Sequence, residues 1–251
     1  MTRYLKQSLA AVFAVCMLLA LVPGQALASG IEAKDEKSPI DSLMPKLPET
    51  LGSKATDPIL TIGGVEVYKN GESGKGWNYK DGVLTLDGYS DAANKWTKMG
   101  ILASRRLEVR VKGKNSVGFL SGAQSLVFTG KGTLQVKAAG KEVDFGIMAP
   151  QVDIAGPVIN IKPDRSIQSG QGIVTNRLMI EKGTVNVSNM DIGIISNGSI
   201  TISGGTITSK ASIAGMMALS IKITGKPTIL ATASGNNTEQ LYGPPGMGYG
   251  I

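Results

Sequence analysis

Histidine is absent from this 251-residue chain, and its single cysteine, Cys16, lies inside the N-terminal apolar run. The first absence excludes Ser-His-Asp and Cys-His catalysis and any His-ligated zinc. The second leaves residues 29–251 without cysteine. A disulfide framework is thereby excluded, and a structural zinc site with it, so ordinary packing must hold that region together. No cofactor and no metal site are expected.

What is present begins with export chemistry. The N-terminus reads MTRYLK, then LAAVFAVCMLLALV, then PGQALA. A basic start, a short apolar run and an Ala-x-Ala ending describe a secretory signal peptide cleaved after Ala28. The run is shorter than the roughly 20 residues of an ordinary membrane span. Cys16 is not at the cleavage point, so lipidation is not expected. The expected location is extracellular, with no membrane contact after cleavage. Residues 29–56 read as an extended or disordered leader. Ile40, Leu43, Met44, Leu47 and Leu51 have helical spacing, but Pro45 and Pro48 break a helix there. Without Arg3 and Lys6, 24 Lys and Arg stand against 19 Asp and Glu, a balance of +5. Such a mild excess serves solubility and also favours anionic surfaces or acidic glycans.

A repeat follows. Glycine precedes a large apolar residue at Gly100-Ile101, Gly118-Phe119, Gly146-Ile147, Gly172-Ile173, Gly193-Ile194 and Gly215-Met216, in steps of 18, 28, 26, 21 and 22 residues. Five to seven residues after each comes an apolar-x-apolar pair: Leu107 and Val109, Leu126 and Phe128, Val152 and Ile154, Leu178 and Ile180, Ile200 and Ile202, Ile221 and Ile223. A glycine turn and a second pair often follow, as at Leu134 and Val136, Ile159 and Ile161, and Val185 and Val187. No unit holds a ten-residue helical pattern, which argues against leucine-rich repeats. Two or three short alternating strands per unit fit stacked coils, because one coil cannot bury its inward apolar set alone. The expected fold is all-β: a right-handed parallel β-helix of about six coils with an N-terminal β cap. The expected organisation is a cap over 57–99, coils over 100–230 and a C-terminal tail over 231–251. A β-sandwich also has short alternating strands, but it does not explain why one turn order recurs.

Stacking the coils on Gly-Ile gives two apolar columns. One is Ile101, Phe119, Ile147, Ile173, Ile194 and Met216; the next is Leu102, Leu120, Met148, Val174, Ile195 and Met217. Neighbours on a strand point to opposite faces, so one column must face outward unless every unit is bulged there. Six stacked side chains make a stripe about 24 Å long at the coil spacing of a β-sheet. The second column is therefore a candidate interaction stripe. The tail or the stretch from Ile40 to Leu51 are candidate covers.

Before the coils, residues 59–90 hold short strands joined by Asn-Gly and Asp-Gly turns, suited to closing one end of the stack. The entry Gly76-Trp77-Asn78-Tyr79, then GVLTLDGY at 82–89, then Gly-Ile coils with the ITISGGT turn at 200–206, resembles bacterial secreted β-helix proteins of the carbohydrate-binding-domain group. Their fold is pectin-lyase-like, and some bind polygalacturonate. The resemblance covers residues 59–230. It implies the fold and a role in binding polysaccharide. The acidic clusters that hold calcium in that group have no counterpart here.

The densest polar patch spans 94–115. It holds Lys95, Lys98, Arg105, Arg106, Arg110, Lys112 and Lys114 against Glu108 alone, with Trp96 nearby. An aromatic platform beside Arg and Lys suits a uronic-acid polymer, by ring stacking and carboxylate pairing. The candidate ligand-binding residues are Trp96, Arg105, Arg106, Arg110 and Lys112. A solvated first coil whose cations discourage edge pairing is the plain alternative. Trp77 and Tyr79 alternate within a strand and are expected to pack under the cap. Asp144, Asp153, Asp164 and Asp191 share no column, so no carboxylate pair for glycoside cleavage is offered. Thr206-Ile207-Thr208 is a lone Thr-x-Thr, whereas ice binding needs ranks of them. The expected function is non-catalytic binding of extracellular or cell-wall polysaccharide, uronic-acid-rich in class, with no nucleic-acid partner. The alternatives are a structural or protein-interaction module using the stripe, and a polysaccharide lyase.

Overall fold

The computed structural model describes residues 57–91, 100–138, 145–163 and 170–235. Trp96, Lys95, Lys98, Asp144 and Asp164, together with the expected signal peptide, leader and most of the tail, lie outside the described residues.

The described residues contain strands and turns and no helix. In chain order the strands are β1 (Leu60–Ile62), β2 (Val65–Val67), β3 (Ser73–Gly74), β4 (Trp77–Lys80), β5 (Val83–Asp87), β6 (Ile101–Ala103), β7 (Leu107–Lys112), β8 (Lys114–Val117), β9 (Leu120–Gly122), β10 (Ser125–Gly130), β11 (Thr133–Val136), β12 (Phe145–Ile161), β13 (Gln171–Ile202), β14 (Thr206–Ile223) and β15 (Thr228–Ala233). The long strands β12, β13 and β14 run around corners, so the architecture is best described by faces. All faces are parallel ladders, and together they wind as a β-solenoid of about six turns, a parallel β-helix.

Face A is built from β6, β9 and the segments after each repeat glycine, with Ile101 level with Leu120, Leu120 with Ile147, Ile147 with Ile173, and Ile194 with Met216. Face B stacks Leu84 on Val109, Val109 on Phe128, Phe128 on Ile154 and Ile154 on Ile180. Face C stacks Asn115 on Leu134, Leu134 on Ile159, Ile159 on Val185 and Val185 on Ile207. These inward residues form one continuous buried cluster, Asn115 and the partly buried Met216 apart. Strand alternation sends their neighbours outward. On face C that outward set is mostly polar: Val158 separates Thr133 from a rank of Thr184, Thr206 and Thr228, and Asn160 and Asn186 stand in the next column. The Thr184, Thr206 and Thr228 rank extends what the sequence offers as a single Thr-x-Thr.

Corners are made of small residues. Between faces A and B stand Ala103 over Gly122, Ala149 over Thr175 and Ser196 over Ala218. The buried Ser196 Oγ donates to Asn176 O at 2.9 Å, serving a corner carbonyl that the ladder leaves open. Between faces C and A stand the glycines of the Gly-Ile repeat. A Cβ on Gly172 would lie 2.3 Å from Gly193 O, and one on Gly193 would lie 2.5 Å from Gly215 O. From Gly172 on, the repeat glycine is thus required by the close approach of successive coils rather than by its own dihedral angles.

The N-terminal end is closed by antiparallel strands. β1 pairs β2 on one side and β6 on the other, and β3–β4 form a ribbon against β5. β5 itself is parallel to β7, so face B starts one strand earlier than face A. Trp77 and Tyr79 are buried in the cluster, with Trp77 lying against Gly74. Asn115, a polar residue at an inward position, accepts from Tyr89 N at 2.9 Å and donates to Lys112 O at 2.6 Å. It ties the cap to the first coil.

Gly193→Ala places its Cβ against backbone on one side and the buried Ser209 hydroxyl on the other. The expected cost is about 3 kcal/mol, the upper range of overpacking, read as a lowered urea or thermal midpoint. Gly71→Ala, with open space around it, is expected to cost only about 1 kcal/mol through its left-handed backbone. Equal costs at the two sites would show that coil approach does not select the repeat glycine.

Candidate functional site

Arg110 and Lys112 project outward from β7, and the chain turns at Gly113 (φ 54°) before Lys114 opens β8. One coil on, Gly130 (φ 97°) lies level with Val111, so Lys131 follows beside Lys112, and Thr133 lies level with Lys114. A Cβ on Gly130 would meet Val111 O at 2.2 Å. Glycine is what lets the two turns stack this tightly. Arg110, Lys112, Lys114 and Lys131 consequently line one open groove of about 590 Å3 at the corner between faces B and C.

Two carboxylates adjoin it. Glu108 Oε1 accepts from Arg110 Nη2 at 2.9 Å and from Thr129 Oγ1 at 2.8 Å. Asp87 lies opposite Lys112 in the β5–β7 register. Four cations against two carboxylates leave the groove positive. The Arg110–Glu108 pair is solvent-exposed, a geometry worth at most about 1 kcal/mol. An anionic ligand can therefore compete for the guanidinium. Among the described residues no carboxylate lies within ion-pair distance of Lys112, Lys114 or Lys131.

Of the expected ligand-binding residues, the four that are described do not all line the groove. Arg110 and Lys112 lie in the groove. Arg105 and Arg106 are exposed in the turn before β7, where Arg106 N donates to Gln124 Oε1 at 3.1 Å. Four residues of strand, about 13 Å, separate Arg106 from Arg110. Trp96 lies outside the described residues. Lys131 was not legible as a partner of Lys112, because only the coil register places it there.

The expected stripe requires a correction. Leu120 does not face outward: it is fully buried and stacks between Ile101 and Ile147. The outward position in that coil is Ser121, level with Leu102 and Met148. The slip of one residue has a physical cause. Phe119 occupies the level that Gly100 fills in the preceding coil, and its ring packs edge-to-face on Phe145 at 5.9 Å. Gly118 is therefore not the corner glycine of its coil. Of the remaining stripe residues, Leu102 is 44% exposed, Ile195 and Met217 are half-buried, and Met148 and Val174 are buried although outside the core cluster. The column is not an open apolar strip.

Of the acidic residues, Asp153 is half-buried on face B, where Oδ2 accepts from Gln151 Nε2 at 2.8 Å. Asp191 accepts from the Ser212 hydroxyl at 2.6 Å near the corner between faces C and A. They do not face one another. Among the described residues no three His, Cys, Asp or Glu side chains come together as a metal site. The most perturbed carboxyl is Asp91, buried where the cap meets the second coil, with Oδ2 accepting from Gly118 N at 3.0 Å. Burial raises its pKa above the ordinary range, outweighing the Gly118 amide and the charge of Lys137. Burial likewise raises the neighbouring Tyr89 phenol. Asp91 acts as a latch between chain segments.

Comparison with protein-family models, with curated proteins and with solved structures gave no match. The fold and the groove alone define the class: a parallel β-solenoid with a cationic groove at one corner of its first two coils.

A raised carboxyl pKa sets the sign of a pH effect. As pH rises past the ordinary value of 3.8 the unfolded chain ionises first, so Asp91 stabilises the fold progressively less up to its folded pKa. Asp91→Asn keeps an acceptor for Gly118 N without the charge. Its melting temperature relative to the parent is expected to be unchanged near pH 3 and to rise toward pH 7. A difference that falls with pH would reverse the assignment.

Proposed function

We propose that the protein is a secreted, non-catalytic β-helix module that binds extracellular polysaccharide of acidic, uronic-acid-rich class. The observation that carries this reading is the groove in which Arg110, Lys112, Lys114 and Lys131 converge from two successive coils. Cations repeated at the coil spacing of about 4.8 Å suit a polymer that repeats its own charge, rather than a single small anion. Arg110 supplies a planar fork for a carboxylate, and the lysines supply mobile point charges. An open, solvated groove gives modest affinity per charge and strong salt dependence. The N-terminal sequence of basic start, apolar run and Ala-x-Ala supports export. The absence of histidine and of a facing carboxylate pair in the sequence supports binding without turnover.

Retention on immobilised polygalacturonate tests the reading. Retention is expected to fall as sodium chloride rises, and Lys112→Glu with Lys131→Glu is expected to weaken it about tenfold, or about 1.4 kcal/mol. Arg105→Ala with Arg106→Ala, at the far end of β7, is expected to change it little. If the double charge reversal leaves retention intact, the groove is not the site. Release of reducing ends or unsaturated sugars would overturn the non-catalytic reading.

A further inference from the structure

The two ends of the solenoid are finished differently. At the N-terminal end the inward residues Leu60, Ile62, Leu84 and Leu86 are fully buried, and the outermost strands β2 and β3 are three and two residues long. At the C-terminal end the last coil has no such cover among the described residues. Ile200 and Ile202 are 0% exposed, whereas Ile221 and Ile223, level with them one coil on, are 41% and 56% exposed. These are the same residue types at the same inward positions. What changes is that no further coil stands over them among the described residues. Leu230 on β15 adds an outward apolar side chain in a column that is otherwise polar, 47% exposed.

The backbone is open there too. Among the described residues β15 pairs with β14 alone. Thr228 N and Ser234 N donate back to the preceding coil at 2.9 Å each. Alternation in a parallel ladder then turns the N–H and C=O groups of Ile229, Ala231 and Ala233 toward the free edge. The strand reads TILATA, with no charge and no proline to discourage pairing.

The geometry points to a second copy of this chain as the occupant, docked C-terminal end to C-terminal end about a two-fold axis, with β15 antiparallel to its mate. Three observations select it. The sequence after β15 does not carry the apolar repeat on in the register of the last coil. In the register that sets Thr206 against Thr228 and Ala211 against Ala233, Asn237 and Thr238 would stand over Gly215 and Met216, and Gly243 and Pro245 over Ile221 and Ile223. In that register no large apolar residue falls at those inward positions, and proline has no N–H to donate. A head-to-tail stack would set the open end against a core already covered by the cap, whereas two open ends are self-complementary and close on themselves. The face is also large enough: residues 214–235 form the last coil, and about 20–30 residues a side make a standard stable interface. Lys210, Lys222 and Lys226 lie at this end, and residues 198–235 contain no Asp or Glu. Salt should therefore strengthen the contact by screening like charges, the opposite of its effect on glycan binding.

Sedimentation of the purified full chain from about 1 to 100 μM is expected to show a monomer–dimer equilibrium that shifts to dimer as salt rises. Ile223→Asp, at an already exposed position, is expected to raise the dissociation constant roughly thirtyfold with an unchanged β circular-dichroism spectrum. Ala231→Pro, which removes an edge donor and adds no charge, is expected to act in the same direction. A chain that stays monomeric at the highest concentration and salt overturns the proposal. A dimer indifferent to both variants, or a growing series of larger assemblies, overturns it as well.

Discussion

Every coil of this protein is the lid of the one before it. An inward Leu, Ile or Val is sheltered above and below by the same position in neighbouring coils, and no coil has enough apolar surface to fold alone. That arrangement needs the backbones to approach to the spacing of sheet neighbours all the way round, corners included. Faces meet the requirement through ladder hydrogen bonds. Corners meet it by leaving out side chains: at Gly172 and Gly193 a carbonyl oxygen of the next coil lies 2.3 and 2.5 Å from where a Cβ would stand, and at Gly215 the Thr232 amide nitrogen lies at 2.6 Å. The glycine of the repeat and the aliphatic residue after it are two parts of one constraint.

The same constraint decides where chemistry can lie. Inward positions are committed to packing, and a polar residue survives there only with a structural task, as Asn115 does in accepting from Tyr89 N. Outward positions on a face are fixed in columns with their partners one coil away. Corners are freer, because the chain changes direction and its side chains fan outward. The cationic groove forms at such a corner, where Gly113 and Gly130 turn the chain and Lys112, Lys114 and Lys131 project around them.

Much of this was legible in the chain. Apolar-x-apolar pairs after Gly-Ile mark the inward columns of face B, and Trp77 and Tyr79 do pack under the cap. The period was harder, since coils differ in length and nothing local marks the extra residue at Phe119. The aromatic pair Phe119–Phe145, which explains that slip, joins two coils and leaves no trace in either segment alone. Proximity in sequence also misled: Arg106 and Arg110 are four residues apart, but Arg106 lies in the turn before β7 and only Arg110 lines the groove. Lys131, 19 residues after Lys112, is its neighbour. In a solenoid, distance along one coil separates residues, while distance of one whole coil brings them together.

Position along the axis adds a final consequence. The groove belongs to the first two coils and the uncovered core to the last. A two-fold contact through the open ends would set the two grooves at the far ends of one continuous solenoid. From the second coil to the sixth is four spacings, so the grooves would stand about 40 Å apart. A single polymer could reach both. Weak, screened contacts at each groove would then act together, the second forming at the high effective concentration set by the first. On the proposed function, exposed lysines that would hold one short acidic glycan poorly would hold a long one well, and retention would favour length over any particular sugar sequence.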